Sequence, residues 1–251
     1  MNFIKFSIYI IQPYIIQQKM FKQNPKIIPL DPNTIVWKYL DLSKFLDLLL
    51  HKQLFMARSD KFEDQYEGTF SEPTFQEIKK LSENNSKFLE YYKEHRKNVV
   101  ISSWHINEVE SFAMWQIFTK NKEGLAIQST IGRIQQALRL ELHYEQYIGE
   151  VNYIDYKTEH IPFEDTFFPF LYKRNTFSYE KEVRIITDAS AKHKTVNEGL
   201  KINVDVHKLI EKIYIHPKSE NWYKRLIFEL MHRMDMDFDI GVSDLESEIL
   251  L

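Results

Sequence analysis

Hydrophobic and polar positions alternate along "EVRIITD", Glu182 to Asp188. Val183 and Ile185 fall on one side and Glu182 and Arg184 on the other, the pattern of a strand with one apolar face. Carried back through "FSYEKEVRIITD", the same period adds Glu180, so two carboxylates and a guanidinium stand in a row. Such a row is either a solvated ion ladder or the floor of a site. Similar β-forming runs are "IVWKYL" from Ile35, "LFMARS" from Leu54, "NVVISSW" from Asn98, "GLAIQST" from Gly124, "YIGEVNYIDY" from Tyr147 and "LIEKIYIHP" from Leu209; each predicts a strand.

Helical spacing follows Asp41, where Leu42, Phe45, Leu46, Leu49 and Leu50 recur at three- and four-residue intervals and Asp41 or Ser43 is placed to cap. Charged helix extends over about Pro73 to Lys97. Further helices are predicted in "VESFAMWQIFTKN", in "IGRIQQALRLEL", in the aromatic "EDTFFPFLYKRNTF" with a break at Pro169, and in the amphipathic "SENWYKRLIFELMHRM" behind a Ser219 cap. The proline-rich "NPKIIPLDPNT" and the acidic "DKFEDQYEGTFSEP" read as loops. Strands and helices intersperse without a regular βαβ repeat, which gives an α+β class: a mixed, mainly antiparallel sheet core with flanking helices. Residues 1–34 form an N-terminal extension, and residues 35–251 a single domain that closes with the C-terminal amphipathic helix.

The extension begins "MNFIKFSIYIIQPYIIQQKMF". Gln12, Pro13, Gln17 and Gln18 interrupt its apolar runs, short of the ~20 residues a membrane-crossing helix needs. It reads as a strand or helix packed on the body, with no membrane role. The acidic and apolar "DIGVSDLESEILL" at the other end is suited to docking, on the chain's own body or on a partner.

Composition narrows the chemistry. The 251 residues are 43% hydrophobic and 27% charged, an ordinary globular balance, and only 6 are glycine. Gly-rich phosphate loops, GxSxG and HExxH are missing, and the nine histidines are scattered, so no metal site is expected. A net charge of −3 gives no general attraction to nucleic acid or anionic membrane. The lack of cysteine removes disulfides, thiol nucleophiles and Cys-ligated zinc, and suits a cytoplasmic protein.

Three stretches carry candidate chemistry. Asp60, Glu63, Asp64 and Glu67 cluster in the acidic loop, a pattern that suits binding of a cation or a substrate hydroxyl, or else a solvated loop. Ser102, Ser103 and Trp104 end a strand, and Met114 and Trp115 sit in the next helix; an indole there stacks on a planar ring or belongs to the core. In the third, Glu180 and Glu182 repel one another, which raises the proton affinity of one, while Arg184 lowers it.

Taken in order, "WKYLDLSKFLDLLLHKQLFMARSDKFEDQYEG", "SSWHINEVESFAMWQIFTKNKEGLAI" and "LYKRNTFSYEKEVRII" resemble the bacterial family catalogued as domain of unknown function 2971. Lys38, Tyr39, Phe62, Asp64, Glu67, Ser103, Met114, Trp115, Gly124, Lys173, Tyr179, Glu180, Glu182 and Arg184 fit its pattern; Glu63 and Gln65 stand where it carries Asn and Pro. The order of elements is also similar to ADP-ribosyltransferases of the arginine–serine–glutamate class, in which a hydroxyl-bearing strand and a Glu-x-Glu motif flank bound NAD.

That resemblance implies NAD as a substrate, with no tightly bound cofactor. It gives Glu182 the task of holding a ribose hydroxyl as positive charge develops, and Glu180 that of orienting or deprotonating the acceptor. Arg184 keeps Glu182 ionised; Tyr39, Trp104 or Trp115 stacks on nicotinamide. Ser103, or else Ser129 with Thr130, supplies the hydroxyl strand. Lys38 and Tyr39 stand where those enzymes carry Arg or His, and Arg58 on the next strand is a substitute grip. Members of phage-defence and toxin–antitoxin systems use that fold; a protein partner fits it, and the acceptor stays open, nucleic acid included. Two other readings stay open. One is a non-catalytic nucleotide- or protein-binding module, such as an antitoxin or sensor. The other is a metal-dependent nuclease built on Asp64, Glu67 and the Glu-x-Glu carboxylates.

Overall fold

The computed structural model describes residues 29–81, 85–119, 121–138, 144, 146–192 and 197–246. Residues 1–28 and 247–251, with the expected N-terminal element, lie outside them. The fold is α+β. A mixed, mainly antiparallel sheet has strand order β11-β10-β4-β1-β3-β2-β9, and β8 joins it through β3 and carries β5 beyond. These strands are β1 (Ile35–Asp41), β2 (Gln53–Arg58), β3 (Val99–Ile106), β4 (Gly124–Thr130), β5 (Gln146–Glu150), β8 (Glu182–Asp188), β9 (Gly199–Asn203), β10 (Lys212–Ile215) and β11 (Asp239–Gly241). The short β6 (Asn152–Ile154) and β7 (Tyr172–Arg174) pair in parallel as a separate ribbon.

One face of the sheet carries the main core. Val36, Val100, Trp104, Val183 and Ile185 point into it, with β-strand alternation as expected. Helix α1 (Leu42–His51), α5 (Ile131–Ala137), α6 (Val206–Leu209) and α7 (Asn221–Arg233) cover that face. The opposite face holds two smaller apolar clusters. At one end Trp37, Tyr39 and Ala126 pack with Met114 and Trp115 of α4 (Phe112–Phe118). At the other, Val99, Ile101 and Ile186 pack with Phe170 and Leu171. The charged residues of β8 stand on this second face.

β3 positions the site through its uneven pairing. One edge runs fully against β8, with Val99 opposite Asp188 and His105 opposite Glu182. The other edge meets β2 only at Val100 and Ile101, and β1 only at His105 and Ile106. β1 leaves to pair with β4 along its whole length, and β2 leaves to pair with β9. The sheet therefore forks beside Ser102, Ser103 and Trp104.

Several local expectations are corrected. "EDTFFPFLYKRNTF" is not a broken helix but a 3-10 turn at Phe168–Leu171, then β7, then a 3-10 turn at Asn175–Glu180. "YIGEVNYIDY" divides at Val151, because the Val151 N–H donates to the Glu182 carbonyl (2.9 Å) and directs β6 to β7. The residue before α7 is Glu220, not Ser219. The Pro73–Lys97 stretch is two helices, α2 (Glu72–Leu81) and α3 (Asn85–Asn98). The described part of the C-terminal segment, residues 239–246, docks on the chain itself through β11 and a Lys224–Glu246 ion pair (2.6 Å). Among the described residues no helix is long and apolar enough to cross a membrane.

Candidate active site

A cavity of about 720 Å³ opens at the fork, a size suited to a small organic ligand. It reaches from α1, through Lys38 and the Ser102–Trp104 edge, to Glu180 and Glu182 on the far face. Its aromatic wall includes Phe62, Phe177 and the half-exposed Tyr179.

The expected row Glu180–Glu182–Arg184 is neither a single strand face nor a solvated ladder. β8 begins at Glu182, and Lys181 takes a left-handed conformation (φ 41°, ψ 57°) that ends the preceding 3-10 turn. Arg184 is 0% exposed, and all five of its N–H groups are satisfied. Two donate to Glu67 (2.8 and 2.9 Å), two to Glu182 (2.9 and 3.0 Å) and one to the Phe170 carbonyl (2.8 Å). Lys173 of β7 completes the cluster: Nζ donates to Glu180 Oε2 (2.6 Å) and Glu182 Oε1 (2.8 Å) and lies 3.2 Å from Glu67 Oε1.

The three carboxylates thus differ in freedom. Glu67 is locked between Arg184 and Lys173. Glu182 is buried yet borders the cavity. Burial works against its charge, but Arg184 and then Lys173 outweigh it and hold the carboxyl well below the usual carboxylate range. Glu180 lies at the edge, where burial and the adjacent Glu182 push it up to about 7 against the pull of Lys173. Of the pair that borders the cavity, Glu180 is therefore the carboxyl that titrates near neutrality.

Lys38 contributes a different electrostatic feature. Its Nζ donates to Ser102 Oγ (3.1 Å) and to the Ser103 carbonyl (3.0 Å), one of the edge groups that the fork leaves without a strand partner. Among the described residues it forms no ion pair. Burial, and the Lys44 charge, lower its amine to about 8 against the attraction of Glu182. A half-buried cation that forms no ion pair and borders a cavity is suited to an anionic ligand.

The other candidates divide clearly. Tyr39 and Trp104 border the cavity, but both are mostly covered. The Tyr39 hydroxyl accepts the Ser111 N–H (2.7 Å), and the Lys38 ammonium lies 5.4 Å from the centre of the Trp104 ring. Trp115 is fully buried and is absent from the cavity wall; its Nε1 donates to Glu110 (2.8 Å). Arg58 is turned away, with Nε and Nη2 donating to Asp60 (2.9 and 2.7 Å). Ser129 lies elsewhere, donating to the Leu209 carbonyl (2.5 Å), and Thr130 caps α5.

The acidic loop is not a solvated turn. Asp64 pairs with Arg174 through both oxygens (2.7 and 3.2 Å), and Glu67 holds Arg184. A divalent ion would have to displace these cations, and among the described residues no group of three or more His, Asp or Glu residues is arranged to hold a metal. The sequence analysis matched Lys173 to the family pattern but gave it no role at the site, and it gave none to His105, Phe177 or Tyr153, whose hydroxyl accepts the Glu182 N–H (2.8 Å). Lys173 lies within the quoted "LYKRNTFSYEKEVRII", so its position near the carboxylates was the available signal.

No family model matches the chain, and no curated protein matches it.

Proposed function

We propose that the chain is an NAD-consuming enzyme of the ADP-ribosyltransferase type. The observation that carries this reading is the Glu180–Glu182 pair at the cavity wall, one carboxylate held ionised and its neighbour titrating near neutrality. Cleavage of the nicotinamide–ribose bond develops positive charge on the ribose. A fixed carboxylate aimed at that ribose stabilises the transition state more than the ground state. Glu182 supplies the fixed charge, and Glu180 takes the proton from an acceptor hydroxyl, amine or water. Lys38 anchors the pyrophosphate, and Phe62, Phe177 or Tyr179 covers the planar ring, in place of Trp115. Because members of phage-defence and toxin–antitoxin systems use the ADP-ribosyltransferase fold, we place the activity in the bacterial cytoplasm, in one of those two roles.

The test is incubation with adenine-labelled NAD, with and without cell lysate. Label on a protein or nucleic acid together with free nicotinamide identifies a transferase; labelled ADP-ribose alone identifies a glycohydrolase. Unchanged NAD in both arms overturns the reading. It would favour the binding-module alternative, which the full engagement of Glu67 and the near-full engagement of Glu182 by internal cations supports. Such a module binds a nucleotide or a protein partner in the same cavity without turnover.

A further inference from the structure

We propose that His105 is the positioning residue for Glu180, acting through the main chain of the turn rather than through any ligand. His105 is 7% exposed and stands opposite Glu182 in the β3–β8 register. Its Nδ1 lies 2.6 Å from the Glu180 carbonyl oxygen. That oxygen only accepts, so Nδ1 carries the proton and donates. The next residue of β3 closes the other half of a clasp: the Ile106 N–H donates to the Lys181 carbonyl (2.8 Å).

The clasp falls on the least regular backbone of the site. Lys181 is a non-glycine residue at φ 41°, a conformation that persists where surroundings impose it. Held there, the turn carries the Glu180 side chain back toward Glu182, so that both share one Lys173 ammonium (2.6 and 2.8 Å). An extended chain would put residues two apart nearly 7 Å apart, by the ~3.3 Å rise of a strand. The groups facing Glu180 are Lys173 from β7, Glu182 from β8, Tyr153 from β6 and Tyr179 from its own turn. Of these, Tyr153 also touches main chain, accepting the Glu182 N–H just past the turn (2.8 Å), but the Glu180 carbonyl itself is held by His105.

His105 itself stays neutral. Burial holds its imidazole below the ordinary histidine range, and Lys181 adds to that, against the pull of the Glu180 carbonyl. Among the described residues its Nε2 has no hydrogen-bond partner. A neutral ring with Nδ1 protonated suits a fixed donor and not a proton shuttle.

This inference rests on the reading of Glu180 as a working group, but its test uses neither NAD nor turnover. Glutamate carboxyls are labelled with ¹³C and titrated by NMR, and Glu180 is assigned by its loss in Glu180→Gln. In the wild-type protein the midpoint falls near 7. In His105→Gln, whose donor sits beyond the Nδ1 position, the freed turn lets Glu180 separate from Glu182. Its midpoint then drops by at least about one unit toward the ordinary value. His105→Asn keeps a donor near Nδ1 and restores the midpoint to within about half a unit of wild type. An unchanged midpoint in His105→Gln, or an equal drop in both variants, overturns the proposal. Should His105→Gln fail to fold, the ¹⁵N shifts of the wild-type imidazole decide: Nδ1 protonated supports the clasp, and Nε2 protonated overturns it. Loss of NAD cleavage as a function would leave these outcomes unchanged, so the two claims fail separately.

Discussion

At the scale of the residue, Glu180 and Glu182 show how environment separates two identical groups two positions apart. Glu182 faces Arg184 and Lys173 and stays charged; Glu180 meets burial and a neighbouring carboxylate and titrates near 7. Replacing Glu180 by Gln therefore removes the titrating limb of activity near neutral pH while keeping the fold. The difference also shows in stability. Glu180 binds its proton more tightly folded than unfolded, so its contribution is present at low pH and is lost as pH rises from about 4.5 to about 7. His95 and His105, both held low by burial, act in the opposite sense. Urea denaturation of wild type against Glu180→Gln isolates the effect: wild type loses stability relative to the variant between pH 5 and pH 7.5. Glu182→Gln behaves differently, because it leaves Arg184 buried with Glu67 as its one remaining carboxylate. Breaking a buried pair costs about 3–5 kcal/mol, so the same denaturation assay finds that variant markedly destabilised. Spacing alone does not reveal this cost, because Glu67 lies 117 positions from Arg184 and no local pattern connects them.

At the scale of the element, alternation was sufficient for most strands of the main sheet, including the side of β8 on which Val183 and Ile185 fall. It failed where tertiary pairing overrides local pattern. The aromatic stretch before β8 has helical composition, yet Tyr172–Arg174 is drawn into a ribbon with Asn152–Ile154, which no periodicity announces. β9 and β11 were likewise missed: β11 is only three residues long, whereas β9 does alternate, with Leu200 and Ile202 as its apolar positions, and was legible. The acidic loop depends on a feature that is local: Gly68 has φ 63°, and a Cβ there would collide with the Phe170 ring. Phe170 in turn accepts a hydrogen bond from Arg184. Gly68→Ala is expected to cost about 1–3 kcal/mol, through strain and overpacking together, and to loosen Glu67 from Arg184. Denaturant midpoints measure the cost.

At the scale of the molecule, the α+β class was legible from the irregular order of strands and helices, whereas the fork was not. It arises from the registers of β1, β2 and β3 taken together, and a single sequence does not display register. The fork is what turns Lys38 from a strand residue into the cation of a cavity. Lys38→Met, made in a Glu180→Gln background to prevent turnover, is expected to weaken NAD binding about 10- to 100-fold by calorimetry, the range for a hydrogen bond to a charged group. With an amine near 8, binding to the protein that keeps Lys38 weakens as pH rises past 8, and binding to the Lys38→Met form does not.

The most direct measurement is nicotinamide release from NAD by the wild-type protein beside Glu180→Gln, with both shown to be folded. The predicted result is release by wild type, reduced about 10²- to 10⁴-fold in the variant, the range for loss of a general acid or base. Equal release by both proteins, or none from wild type with or without lysate, would contradict a catalytic carboxylate pair at the fork.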